Sequence, residues 1–174
     1  MDGELTAEAL RAMLDYDPTT GGFVWRHRSE FTRRWNARFA GREAGTIGRF
    51  GPAAAPYRSI MINGRRYLAH RLAFLHITGA WPPHQVDHID CDGTNNAWAN
   101  LRAATRAENL RNRRGRHTAA GRKGVHKDKH GRYVAQITLK GVCRYLGYFD
   151  TAEQAHAAYA RAAIEHHGEF ARVS

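Results

Sequence analysis

The chain has 174 residues, 43% of them hydrophobic, and carries 27 Lys or Arg against 16 Asp or Glu, a formal net charge of +11. That length holds one ordinary domain or two small ones, and the charge points to a polyanionic partner. Cys91 and Cys143 are the only cysteines, which excludes a disulfide framework and a four-thiolate zinc ribbon, and no apolar run approaches the ~18 residues of a membrane span.

Residues 4 to 14 have the spacing of a short amphipathic helix, with Leu5, Ala9, Leu10, Met13 and Leu14 on one face. The opening residues show no basic leader ahead of an apolar core, so a soluble, cytoplasmic protein is expected. DPTTGG is turn chemistry, and GFVWR fits a strand. Ser29 to Pro56 is rich in Arg, Gly and Ala without periodicity and reads as an irregular basic loop with no assigned role. YRSIMINGRRYLAHR alternates around Asn63-Gly64, a pair that tolerates positive φ and marks a hairpin. Leu68 to Ile77 reads as a buried helix closed by Gly79 and Pro82. After the segment from Val86 to Arg114, residues 115 to 121 look like a linker, placing a boundary near residue 117. Three short strands follow, with turns at His130-Gly131 and Lys140-Gly141. An Ala-rich helix runs from Thr151 to about His167, with Thr151 and Gln154 as a capping box.

The segment VDHIDCDGTNNAWANLRAATRAENLRNRR carries the chemistry. Phosphodiester cleavage requires a base to take a proton from water and a cation to stabilise charge developing on phosphate. His88 suits the base, Asp87 beside it is a hard oxygen ligand, and Asn100 and Asn109 follow twelve and twenty-one residues after His88. VDHID reads as a strand, CDGTNN as a loop and NLRAAT as a second strand, while Thr105 and Glu108 cap a helix containing Asn109. That arrangement would bring Asp87, His88 and Asn109 around one metal ion and leave Arg102, Arg111, Arg113 and Arg114 for phosphate. Asp90, Asp92, Asn95 and Asn96 lack the twelfth-position Glu of an EF-hand and read as turn residues. Cys91 reads as a small loop or core residue, and His70 and His84 as buried scaffold or backbone-contacting groups.

VDHID, NNAWANLR and TRAENLRN together resemble the HNH nuclease motif of phage and intron-encoded homing endonucleases, with Asn in place of the last His. The resemblance implies a ββα-metal unit with His88 as general base, Asp87 and Asn109 as metal ligands, and Asn100 as the Asn that stabilises the loop and orients His88. The cation it implies is divalent, magnesium first, with manganese and zinc as alternatives. YDPTTGGFVWR and INGRRYLAHRLAFLHITG look like the N-terminal companion of such phage enzymes.

Along RYVAQITL, Tyr133, Ala135, Ile137 and Leu139 form an apolar face, leaving Arg132, Val134, Gln136 and Thr138 on the other. A three-stranded sheet backed by a helix can present such a face to a major groove. GVHKDKHGRYVAQI and RYLGYFDTAEQAHAAYARAAIEHHG resemble the plant ethylene-response-factor (APETALA-type) DNA-binding domain, also found fused to phage HNH nucleases. The resemblance places Lys123, His126, Arg132, Gln136, Thr138 and Tyr145 at DNA-facing positions. His126, Asp128 and Thr138 replace Arg, Gln136 replaces Glu, and His130 and Tyr145 replace Trp, so the fold is expected and the base preference is not.

Residues 101 to 149 hold thirteen Lys or Arg against Glu108 and Asp128, and the rest of the chain carries fourteen of each sign. A solvated basic face is the plain explanation; the concentration favours nucleic acid. The expected architecture is α+β: a ββα-metal HNH unit with an N-terminal hairpin and helix scaffold in 1–116 (motif 84–114), then an antiparallel sheet on one helix in 117–174. The expected function is metal-dependent cleavage of double-stranded DNA by a phage or mobile-element HNH endonuclease in a bacterial cytoplasm. The alternatives are a non-catalytic, sequence-specific DNA-binding regulator on a nuclease-like fold and, less favoured with two distant cysteines, a zinc-stabilised binding module.

Overall fold

In a computed structural model, which describes residues 5–49, 55–112, 121–171 and 173, the chain divides into two units, Met1–Ala104 and Thr105–Ser174. The division falls ahead of the boundary expected near residue 117, and that boundary and most of the 115–121 linker lie outside the described residues. Among the described residues no helix is long and apolar enough to cross a membrane.

In the first unit, Thr6 caps α1 (Ala7–Met13) by accepting from Ala9 N at 3.2 Å. Leu10 and Met13 on its inner face are buried, and the chain passes directly into β1 (Leu14–Tyr16), which pairs antiparallel with β2 (Phe23–Trp25). The expected irregular stretch from Ser29 to Pro56 contains two regular elements. Thr32 caps α2 (Arg33–Phe39), and β3 (Thr46–Arg49) pairs with β4 (Pro56–Ile62). β3 draws its stability from pairing with a later strand, which local periodicity does not reveal; residues 50–54 are outside the description.

β4 turns into β5 (Arg65–Leu68) at Asn63 (φ 49°) and Gly64 (φ 76°), the paired left-handed residues that a two-residue hairpin needs. α3 (Ala69–Thr78) follows and stops at Gly79, whose φ of 79° ends the helix in the left-handed region. Its inner face (Ala69, Leu72, Ala73, Leu75) packs with Leu10, Leu14, Phe23 and Ile60 into one core. β6 (Gln85–His88) and β7 (Leu101–Ala104) are seated on that core by Val86 and Leu101, so the hairpin carrying Asp87 and His88 rests on a packed base.

The second unit begins with α4 (Arg106–Asn112). An antiparallel sheet follows in the order β10 (Val142–Phe149), β9 (Tyr133–Leu139), β8 (Val125–Lys127). Thr151 and Gln154 form the expected capping box on α5 (Ala152–His167). Ala155, Tyr159, Ala162 and Ala163 on α5 are buried with Val125, Ala135 and Ile137 of the sheet. The small residues let the helix lie close: a Cβ on Gly124 would stand 2.0 Å from the Tyr159 ring. The α+β architecture with a sheet on one helix is as the sequence implies.

Candidate active site

His88 and Asp87 occupy the last two positions of β6 and are 5% and 4% exposed. The β6–β7 register sets Asp87 opposite Arg102. Arg102 donates from Nε at 2.9 Å and Nη2 at 2.8 Å to Asp87 Oδ2. A charge removed from water this far is tolerable only with such a partner. Arg102, expected at phosphate, is itself largely buried, with a side chain 12% exposed, and holds the carboxylate.

The His88 ring is fixed by Asn96, which is 1% exposed. Asn96 Nδ2 donates to Thr94 O at 3.1 Å, which turns Oδ1 toward His88 Nε2, 3.3 Å away. An amide oxygen only accepts, so Nε2 carries the proton and the lone pair of the neutral ring sits on Nδ1. Burial lowers the His88 pKa from the ordinary imidazole value, against the Asn96 bond and the carboxylates of Asp90, Asp87 and Asp92, which raise it. The ring is therefore neutral near pH 7, the state a base requires. Its walls are His70, edge-on with centroids 4.9 Å apart, and Tyr57 at 5.8 Å. His70 is buried, its Nδ1 without a hydrogen-bond partner, and desolvation first, then the nearby His88 and Arg71 charges, lower its pKa to about 3. His84 is exposed, and its carbonyl accepts from Arg71.

Asn100 clamps the loop between the strands. Its Oδ1 accepts from Asp90 N at 3.0 Å, and its Nδ2 donates to Asp90 Oδ1 at 3.0 Å and Asn95 O at 2.8 Å. Ile89 N, next to His88, donates to Asn100 O. Asp90 and Asp92 accept from Asp92 N, Asn95 Nδ2 and the Thr94 amide and hydroxyl, so these acids close turns. The loop is backed from far upstream. Tyr16 Oη donates to Asn96 O at 2.7 Å, and Trp98 N donates to Pro18 O at 2.8 Å. Two glycines permit this contact: a Cβ on Gly21 (φ +75°) would lie 2.2 Å from Asn96 C, and one on Gly93 would lie 2.5 Å from Pro56 O.

Asn109 belongs to the second unit, in the first turn of α4, where its N–H donates to Thr105 O at 3.0 Å. Thr105 and Glu108 make the expected capping box, with Glu108 N donating to Thr105 Oγ1 at 3.3 Å and Thr105 N to Glu108 Oε2 at 2.8 Å. Within the first unit, the Asp87 carboxylate is a hard oxygen donor of the kind that suits a cation keeping several of its waters. Among the described residues no group of three His, Cys, Asp or Glu gathers as a zinc-type cluster.

Residues 67–111, which include Asp87, His88, Asn96, Asn100 and Arg102, match the sequence model of the HNH endonuclease family. The chain contains an HNH endonuclease domain. An uncharacterized HNH endonuclease of Acanthamoeba polyphaga mimivirus is 38% identical to it over 86 residues, 49% of this chain and 44% of the relative. The chain thus spans less than half the length of that relative. Among solved structures, one described as DNA binding and cleavage by the HNH homing endonuclease I-HmuI aligns over 89% of this chain and 85% of that one, at 16% identity and a TM-score of 0.39.

The sequence marks Asn96 only as a turn residue, whereas in the fold its side chain hydrogen-bonds the His88 ring. Its one signal is position, beside Asn95 in a loop where both amides bond to the backbone. Beyond the HNH segment, the second unit gathers Arg132, Gln136, Thr138 and Tyr145 on the sheet face away from α5, where Gln136 pairs across from Tyr145 and Thr138 from Cys143. Arg132 stacks over Tyr148 with its Cζ 4.1 Å from the ring centroid. Val134, assigned to the same outward set, is buried and serves packing. His126 is half-buried opposite Val134. Lys123 is half-buried and donates from Nζ to Arg111 O at 2.5 Å, so it satisfies a carbonyl in the last turn of α4. Arg113 and Arg114 lie outside the described residues.

Proposed function

We propose that this chain is a metal-dependent endonuclease that hydrolyses phosphodiester bonds of double-stranded DNA, an enzyme of a phage or mobile element acting in the cytoplasm of its bacterial host. The observation that carries the reading is the buried, neutral His88, its Nε2 held by Asn96 inside the segment that matches the HNH family. In this reading His88 Nδ1 takes the proton from the attacking water. Asn96 and Asn100 hold the ring and its loop, and Arg102 keeps the Asp87 carboxylate in place. Asp87 and Asn109 are the residues assigned to a divalent cation, magnesium first. When bound, such an ion neutralises charge developing on the scissile phosphate. The sheet face bearing Arg132, Gln136, Thr138 and Tyr145 is assigned to DNA, in the manner of the ethylene-response-factor domain it resembles.

A plasmid-nicking assay tests the reading. The wild type should convert supercoiled DNA in magnesium and stop in excess chelator, and His88→Ala should bind DNA within a few-fold of wild type without cutting it. Undiminished cutting by the purified His88→Ala protein would remove His88 as the base, and cutting in excess chelator would remove the metal.

A further inference from the structure

We infer that α2, in the stretch to which the sequence assigns no role, presents a rigid phosphate-contacting face to duplex DNA, formed by Arg33, Arg34 and Arg38. The inference rests on the DNA reading above and adds a surface in the first unit, outside the segment where the sequence concentrates its charge.

The helix is built in a way that only its exposed side explains. None of its seven residues is buried, so core packing does not account for it. It is fastened along one edge by aromatic rings: Phe31 to Trp35 with centroids at 4.7 Å, Trp35 to Phe39 at 5.1 Å, and Trp25 of β2 to Trp35 at 5.6 Å. Asn36 locks it to the preceding loop, donating to Arg28 O at 2.7 Å and accepting from Arg28 N at 2.9 Å. The other side exposes Arg33, Arg34, Ala37 and Arg38, with Arg42 just beyond.

Those cations work against the helix they stand on. The first turn contains Arg33 and Arg34 and no acid, the wrong sign for a helix N-terminus, and Arg34 and Arg38 repel at the i,i+4 spacing. The nearby acids are already committed: Glu30 pairs with Arg28 at 2.8 Å, Glu43 with Arg58 at 2.9 Å and Asp15 with Arg26 at 3.6 Å. Among the described residues none of Arg33, Arg34, Arg38 or Arg42 forms an ion pair. A short helix held in place by rings and an amide clip, yet loaded with uncompensated positive charge, is completed by an external polyanion. No aromatic of α2 is among the large exposed hydrophobic side chains, so the face has nothing to insert into a bilayer, and a phosphate backbone is the better match.

The test is equilibrium binding of the full chain to a labelled duplex in chelator, so that the duplex stays intact, between about 50 and about 200 mM salt. Three phosphate contacts make Arg33→Gln/Arg34→Gln/Arg38→Gln shallower by about 2.7 in the slope of log affinity against log salt, so the wild type loses about 40-fold more affinity over that interval. The matching triple Lys variant should recover the slope. Ala37→Glu, which removes no arginine, sets a carboxylate within reach of Arg33 and Arg34 but in the last turn of α2; it should leave the melting temperature near wild type while lowering DNA affinity several-fold, a combination that a structural role for this face does not give. A folded triple Gln variant with the wild-type slope overturns the inference, as does an Ala37→Glu protein with wild-type affinity. Loss of binding to phosphatidylserine vesicles with an unchanged DNA slope overturns it in favour of a membrane surface. A wild type that binds duplex with no salt dependence defeats the DNA reading itself, an outcome distinct from an unchanged variant slope on a steep wild-type background.

Discussion

Replacing Asn96 with Ala removes the amide oxygen that stands 3.3 Å from His88 Nε2. That separation is at the long end for an N–H donor, which puts the bond itself near the lower part of the ~0.5–1.5 kcal/mol range. The larger consequence is the buried Nε2–H left without its acceptor, which costs about 1–3 kcal/mol unless the ring turns or changes tautomer. Either escape takes the Nδ1 lone pair away from its aim. At about 1.4 kcal/mol per tenfold, the cleavage rate should fall about 10- to 100-fold, less than the 10²–10⁴-fold expected when the base is deleted. Affinity for DNA should not change, because Asn96 is 1% exposed. Asn96→Asp keeps an acceptor but loses the Nδ2 donor to Thr94 O and buries a charge, so it should not restore the rate. Single-turnover cleavage of the two single variants and the double variant reads the coupling: on a His88→Ala background, Asn96→Ala should cost nothing further. If it lowers the residual rate by the same factor as in wild type, Asn96 acts through something other than the His88 ring.

Arg102→Met strands the buried Asp87 carboxylate and should destabilise the chain by about 3–5 kcal/mol in urea unfolding, whereas Arg102→Lys, with one donor direction in place of a planar fork, should lose less. His70 is neutral in the fold with its pKa lowered to about 3, so its contribution is full above the unfolded value of 6.5 and is lost as pH falls from there toward 3. The total is on the order of 5 kcal/mol. His70→Phe should flatten the fall of melting temperature between those limits; an equally steep fall in that variant would assign the acid sensitivity elsewhere. Gly21→Ala combines a φ of +75° with a Cβ 2.2 Å from Asn96 C and should cost at least about 2 kcal/mol while slowing cleavage, read by calorimetry and nicking on one preparation.

The parts of the fold legible in the sequence were those with local chemical causes. Asn63-Gly64 dictates a hairpin turn, and the Thr105/Glu108 and Thr151/Gln154 pairs dictate where α4 and α5 begin. Residue types and spacing single out Asp87, His88 and Asn100 in the sequence, and the fold sets the first two buried at the end of β6 and the third in the loop that follows. Arg102 is not singled out, because its role follows from which residue β7 sets opposite Asp87, and that register depends on how the loop from Ile89 to Asn100 folds. Counting charge by segment likewise hid α2: outside residues 101–149 the signs balance in number, but ion pairs within the first unit use acids and arginines unevenly along the chain. β3 depends on a partner strand beyond the undescribed residues 50–54, which no local pattern announces.

The support that Tyr16, Pro18 and Gly21 give to the Asn96 loop bears on how portable this nuclease motif is. The segment matching the family begins at residue 67, but the loop beside His88 leans on a turn some eighty positions upstream and on the strand that ends at Ile62. Grafted alone onto another scaffold, residues 67–111 would carry Asp87, His88, Asn96 and Asn100 and leave behind the upstream residues that back their loop. A transplant that works has to bring residues 16–22 and Tyr57 with it, so for this chain the smallest transferable cutting module is discontinuous in sequence.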